Sequence, residues 1–296
     1  MKNVRSTAKW LNDPALNDSP PERPPTMTHP LLTQDHIDAY ARDGVVLVKG
    51  LFKDQVDQLR DGVARNMAEP GPYAAENLNE GEGGRFFDDY CNWTRISEFQ
   101  EAIKASPAAA VAAELMGSKT VQMFHDHVLV KEPGTSKPTP WHQDSPYYFV
   151  EGDQTVSFWS PLDPVRSASL RCVAGSHLWE KPVLPTRCLA ETSFYPNDED
   201  YMQVPDPDAE GMDIREYDME PGDAVAFNYK TLHGARGNDA GTRRRAFSLR
   251  LLGDDARYVE RPGPTSPPFP GHDMKPGQRF REDWFPMLLE PADQER

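Results

Sequence analysis

Apolar positions along this chain follow two different periods, and the change between them divides it. Thr33 can cap a helix running to about Arg42, which Gly44 ends, and VVLVKGL (45 to 51) follows as a strand. Val56, Leu59, Val63 and Met67 then recur at helical spacing until Pro70-Gly71 stops them. Residues 71 to 96, with the stretch NEGEGGRFFDDYCNW, read as a long loop bearing aromatics. Ser97 and Gln100 suggest a capping box for a third helix, and Ser106-Pro107 starts a fourth that ends at Gly117.

After Gly117 the period shortens to two. Strand-like runs stand between turn signals: TVQMFHDHVLVK, TVSFWSPL, LRCVA, DIREYDM, DAVAFNY and RAFSLRLL. A helical opening followed by many short strands predicts a sheet sandwich or barrel with helices packed outside. No internal repeat is visible, and the proline-rich PGPTSPPFPG is expected to cross the barrel as irregular chain. Residues 1 to 30, polar and proline-rich, are expected to be a mobile tail, with Met27 a candidate start. Residues 31 to 296 are then expected to form one domain.

Composition narrows the partners. The chain has 296 residues, 38% hydrophobic and 27% charged, with a formal charge of −15. That charge argues against a nucleic acid or an anionic membrane, which need local positive charge. No apolar run reaches the ~18 residues of a membrane span, and the N-terminus has no signal-peptide core. Three cysteines, Cys91, Cys172 and Cys188, form no CxxC pair, as in a reducing cytosol. A cytoplasmic protein acting on a small molecule is the expectation.

The chemistry concentrates in WHQDSPYYFV, residues 141 to 150. His142 and Asp144 are separated by one residue, so on an extended strand they share a face and can grip one metal ion. A facial triad of two histidines and a carboxylate needs a third ligand. His29 and His36 lie in the tail and first helix, His272 in a Pro/Gly segment, and His177 beside a turn. His233, after the strand DAVAFNY and before Gly234, is the best candidate. Such a triad leaves three positions of an octahedral iron open for a bidentate co-substrate and dioxygen. A keto-acid co-substrate wants a cation at its far end, and Arg244 opens the next apolar strand, with Arg243 and Arg245 as alternatives.

His142, Asp144, His233 and Arg244 in this order, flanked by LVKEPG, VAGSH, EPGDAVAF and LHGARGN, resemble the phytanoyl-CoA dioxygenase-type family of Fe(II)/2-oxoglutarate-dependent dioxygenases, over roughly residues 33 to 255. The resemblance implies a mainly β protein with flanking helices and a double-stranded β-helix (jelly-roll) core. It implies Fe(II), 2-oxoglutarate and O2, and hydroxylation or another oxidation of an unactivated C–H bond in a small organic substrate. Trp159 resembles a family tryptophan near the co-substrate, at a spacing one residue short. A serine common two places after the distal histidine is Ala235 here.

Other candidates come from the strand patterns. His125, His127, Leu129 and Lys131 share one face of a strand, which places Lys131 with the cofactor and His127 with the substrate. HxH followed by Glu132 also leaves open a cupin-type metalloenzyme built on His125 and His127, and a silent β-helix binder is a third reading. Tyr147 sits in the aromatic cluster, and Arg85, Asn92 and Trp93 belong to a segment that is either a lid or a surface loop. In RRRAFSLRLL, Phe247, Leu249 and Leu251 share the core face, which puts Arg250 on the lumen face with Arg244. Arg250 is therefore expected to meet either a protein carboxylate or an anionic substrate group.

Overall fold

Gly117 is where helices give way to sheet. In the computed structural model, which describes residues 28–78, 81, 83–166, 170–187, 192–195, 199–238 and 241–291, α1 (Gln34–Asp43), α2 (Val56–Ala68), α3 (Ser97–Ala105) and α4 (Ala108–Met116) precede or interrupt the first strands. The expected tail lies outside the described residues apart from 28–30, where the His29 N–H donates to the Glu114 carboxylate at 2.7 Å. Gly44 and Gly117 end α1 and α4 in the left-handed region, φ 71° and 63°, where a side chain would be strained. Ser97 is the first residue of α3 instead of its cap, because Ile96 already leaves the helical region.

The strands are β1 (Val45–Val48), β2 (Ala75–Glu76), β3 (Phe86–Tyr90), β4 (Val121–Lys131), β5 (Thr139–His142), β6 (Val150–Glu151), β7 (Thr155–Pro161), β8 (Leu170–Val173), β9 (Ile214–Glu216), β10 (Ala224–Phe227), β11 (His233–Ala235), β12 (Arg244–Leu252), β13 (Arg257–Tyr258) and β14 (Met287–Leu289). A large antiparallel sheet runs β1-β10-β7-β12-β4-β3-β2, with β14 also on β4, and a smaller one runs β5-β11-β8-β9. These are the two sheets of a jelly roll. The segment expected as one long loop thus contains β2 and β3, since Phe86 to Tyr90 pair with β4 from Lys131 to His127. A strand of five residues interrupted by two aspartates carries too little alternation to stand out alone.

Alternation on the central strands makes the two faces of the large sheet. Val128 and Val130 of β4, Phe158 of β7, Ala224 and Ala226 of β10, and Phe247, Leu249 and Leu251 of β12 pack outward against Leu59, Val63, Phe99 and Val111 of the helices. The opposite face meets the small sheet through Trp159, Val225, Phe227 and Ala246 against Leu170 and Cys172. One irregularity matters on β4. Arg250 pairs with His125 but Leu251 pairs with Met123, so Phe124 has no partner across the ladder. This bulge inverts the alternation: Met123 faces the helices, while His125 and His127 face inward with Leu129. Phe124 itself joins Phe149, Phe280 and Phe285 in an aromatic cluster that incorporates the C-terminal chain.

Candidate metal centre

A cavity of about 440 Å³ opens between the two sheets. His142 at the end of β5 and His233 at the start of β11 are cross-strand partners, with ring centroids 4.2 Å apart. The small sheet thereby brings together two imidazoles far apart in sequence. The His142-Asp144 pair does not lie along one strand, as period two suggests. β5 ends at His142, and Asp144 turns into a short 3₁₀ segment with φ −70° and ψ −40°. Gln143 between them is held elsewhere, accepting from Val183 N–H and donating to the Lys230 carbonyl. A chain reversal, not strand alternation, presents both side chains to the cavity.

Hydrogen bonds fix which atoms face inward. His142 Nδ1 lies 2.8 Å from the Pro140 carbonyl and His233 Nδ1 2.9 Å from the Thr231 carbonyl. A carbonyl only accepts, so each Nδ1 carries the ring proton and each Nε2 presents a lone pair. Both Nε2 atoms point at one oxygen, Asp144 Oδ1, from 3.7 and 3.8 Å. Those separations are too long for hydrogen bonds. The other oxygen, Oδ2, accepts from Ser157 Oγ at 3.2 Å and lies 3.6 Å from Arg250 Nε. Three donors within 4.8 Å of one another, all with their remaining atoms engaged, fit a cation bound by two imidazoles and a carboxylate. Among the described residues this is the one such cluster.

Electrostatics suit the same use. Burial alone would raise the Asp144 carboxyl, but Arg250, with His233 and His142, more than offsets it and holds the group well below the usual range. Burial and the neighbouring His142 push His233 down to about 3, and burial also lowers His142. Both imidazoles stay neutral and the carboxylate stays charged at neutral pH.

Arg244 enters the cavity from the first residue of β12, and Trp159, Leu170, Phe227, Ala235 and Ala246 line the same cavity. Burial lowers its guanidinium only to about 10, so it remains a cation, and one of its nitrogens lies 3.4 Å from the Arg236 carbonyl. Its neighbours do not compete: Arg243 pairs with Glu132, and Arg245 makes a two-pronged pair with Asp163. Thr139, the cross-strand partner of Ala235, lines the same wall.

His127 and Tyr147 line the cavity, His127 Nε2 lying 3.5 Å from Asp88 Oδ2. Other expected residues stand outside the cavity or have partners within the protein. Lys131 turns away from the cavity: its ammonium donates to the Lys137 and Arg236 carbonyls and lies 4.3 Å over the Phe86 ring. Arg85 pairs with Glu76 on the surface, and Asn92 is buried against Arg95. Trp93 packs on the helical core, while Phe86, Asp88 and Tyr90 of β3 line the cavity, so this stretch is a strand of the cavity wall that leads into α3. Arg250 does reach the lumen, yet its partners are internal: Asp144 and, at 2.8 Å, Tyr148 Oη. Through Nε these contacts supply the protein-carboxylate partner that the sequence left open beside an anionic substrate group. The HxH alternative loses its third member as well, because Glu132 is paired with Arg243.

Sequence reasoning missed Tyr148 and Ser157, which hold Arg250 and Asp144, and Arg187 and Phe194 at the cavity wall. Tyr148 stands inside the quoted aromatic run; the others carry no local signal.

Residues 40–246 match the family model described as phytanoyl-CoA dioxygenase (PhyH). A probable phytanoyl-CoA dioxygenase of Caenorhabditis elegans is 25% identical over 215 residues, 69% of this chain, and the chain spans 62% of that relative's length. Among solved structures, the α-ketoglutarate-dependent epimerase SnoN of nogalamycin biosynthesis superposes with a TM-score of 0.70 at 21% identity, covering 89% of this chain and 98% of its own. The non-heme carbocyclase SnoK from the same biosynthesis gives 0.67 at 22%, covering 86% and 96%. At such identities these likenesses speak for the shared fold.

Proposed function

This chain belongs to the phytanoyl-CoA dioxygenase family, and from that premise we propose that it is an Fe(II)- and 2-oxoglutarate-dependent dioxygenase oxidising a C–H bond of a small organic molecule. The observation that carries the proposal is the arrangement of His142 and His233, Nδ1 atoms tied to carbonyls and Nε2 atoms aimed at Asp144 Oδ1. These three side chains would hold the iron. When bound, iron with 2-oxoglutarate and dioxygen supplies the oxidising power, converting the keto acid to succinate and carbon dioxide.

The protein's own contribution is placement and electrostatics. Arg244 holds the far carboxylate of 2-oxoglutarate in its planar fork, and Trp159, Leu170, Phe227 and Ala246 form an apolar sleeve that keeps water from that ion pair. Thr139 supplies the hydroxyl that Ala235 lacks, from the adjoining strand. Ser157 and Arg250 fix Asp144 Oδ2, leaving Oδ1 for the metal. Asp144 also fills the position that a chloride would need, so the outcome is oxidation without halogenation. The substrate enters from the side of Tyr90, His127, Tyr147 and Phe194. Residues 31–296 act as one unit in this reading.

Equilibrium titration without oxygen tests it. The unaltered protein should bind one Fe(II), and then 2-oxoglutarate only when the metal is present. Binding of 2-oxoglutarate that ignores the metal, or iron retained in full by Asp144→Ala, would defeat the assignment.

A further inference from the structure

Two buried atoms on cavity-lining residues have opposite hydrogen-bonding character and, like His127 Nε2 and Asn77 Nδ2, no hydrogen-bond partner among the described residues: His125 Nε2 and Arg250 Nη1. Their residues are cross-strand partners on β4 and β12, only 2% and 5% exposed, and both line the cavity beside Asp144. An unpaired buried polar group is costly, so such a pair calls for a ligand group that completes it.

The character of each atom follows from its surroundings. His125 Nδ1 lies 3.1 Å from the Asp126 carbonyl oxygen, which can only accept, so Nδ1 bears the proton and Nε2 is an acceptor. Burial and the charge of Arg250 hold the imidazole well below its usual pKa, so it remains neutral. Arg250 uses Nε on Tyr148 Oη and lies near Asp144 Oδ2, which leaves Nη1 as a donor. The bulge at Phe124 is what turns His125 to this side of the sheet.

We propose that His125 and Arg250 form a hydroxyl-selecting subsite, so that the substrate of the proposed oxidation is an alcohol. This rests on that reading only in taking the cavity beside His142, Asp144 and His233 as the reaction chamber. An alcohol oxygen accepts from Arg250 Nη1 while its proton goes to His125 Nε2, completing both atoms. A carboxylate satisfies the arginine but sets a lone pair against Nε2 and a second negative charge near Asp144. An ammonium satisfies Nε2 but faces the guanidinium, and a methyl group leaves both atoms unpaired. Leu129, Tyr147 and Phe194 offer apolar surface for the body that carries the hydroxyl.

Benzyl alcohol, benzoate, benzylamine and toluene isolate the group on one scaffold. Their binding to the full chain is measured by calorimetry, with Fe(II) and 2-oxoglutarate under anaerobic conditions and again without either. Benzyl alcohol should bind about tenfold more tightly than the other three, in both states, because the subsite consists of protein groups. His125→Phe should bring it down to the level of toluene, and His125→Gln, whose amide oxygen still accepts, should keep most of the preference. Equal affinities, benzoate or benzylamine in front, or no binding of benzyl alcohol at millimolar concentration would overturn the subsite. If His125→Phe does not fold, the unaltered protein and His125→Gln decide alone. The two readings fail separately: an alcohol preference in a chain that binds no iron keeps the subsite and sinks the dioxygenase. Iron and 2-oxoglutarate binding without that preference does the reverse.

Discussion

The two oxygens of Asp144 have different partners, and the difference divides the labour at the centre. Oδ1 faces the two imidazoles, while Oδ2 is held by Ser157 and Arg250. Replacing Asp144 with alanine should abolish stable Fe(II) binding and lower turnover by at least about 10²-fold, read by metal analysis and product formation. At Arg244 the outcome should differ: Arg244→Lys keeps a charge but loses the fork, so the 2-oxoglutarate KM should rise about tenfold or more with iron occupancy unchanged. His142, Asp144, His233 and Arg244 are legible in the sequence because their residue types and order are unusual together. The fate of Arg250 is not. Period two places it in the lumen, but its partners Asp144 and Tyr148 come from another part of the chain, and no local pattern states that pairing.

At the scale of elements, β12 shows how one strand serves two functions. Phe247, Leu249 and Leu251 fill the helix-facing core, while Arg244, Ala246 and Arg250 face the cavity and Ser248 between them donates to the Phe158 carbonyl. Phe247→Ala should therefore cost about 3–5 kcal/mol of stability, measured by denaturant unfolding, with the 2-oxoglutarate KM of the folded fraction unchanged. Ala246→Leu should do the opposite, obstructing the space beside Arg244 and raising that KM with a smaller effect on stability. Equal effects on both measurements would show that the faces are not separate. The helices and the strands β1, β4, β7, β8, β9, β10 and β12 are legible from periodicity, whereas β3 is hidden in a segment that reads as loop. β5 and β11 are not, because TPWH and HGA carry no apolar alternation, although they hold both histidines. The bulge at Phe124 is likewise silent in sequence, because an extra residue is visible only against the partner strand.

Over the whole molecule, helices cover the outer face of the large sheet, the small sheet closes the inner face, and the reaction chamber is the space between them. No helix among the described residues is long and apolar enough to cross a membrane. Burying neutral histidines inside this chamber has a pH consequence. His233 titrates near 6.5 when unfolded and at about 3 when folded. Between those values the unfolded chain binds the extra proton, so stability falls as pH falls. Metal-free protein should thus lose about 2 kcal/mol between pH 7 and pH 5 from this residue alone, measured by urea unfolding at the two pH values, and Fe(II) should protect the folded state. The sequence pI of about 5.0 makes pH 5 also the point of least solubility. The central claim, that this chamber runs oxidative decarboxylation of 2-oxoglutarate, is tested most directly by carbon dioxide release from carboxyl-labelled 2-oxoglutarate. Release that requires Fe(II) and dioxygen, stops with a chelator, and disappears in Asp144→Ala is the predicted result. Release that persists in Asp144→Ala, or none from the iron-loaded protein with any of a broad set of alcohols and other small metabolites, would contradict it.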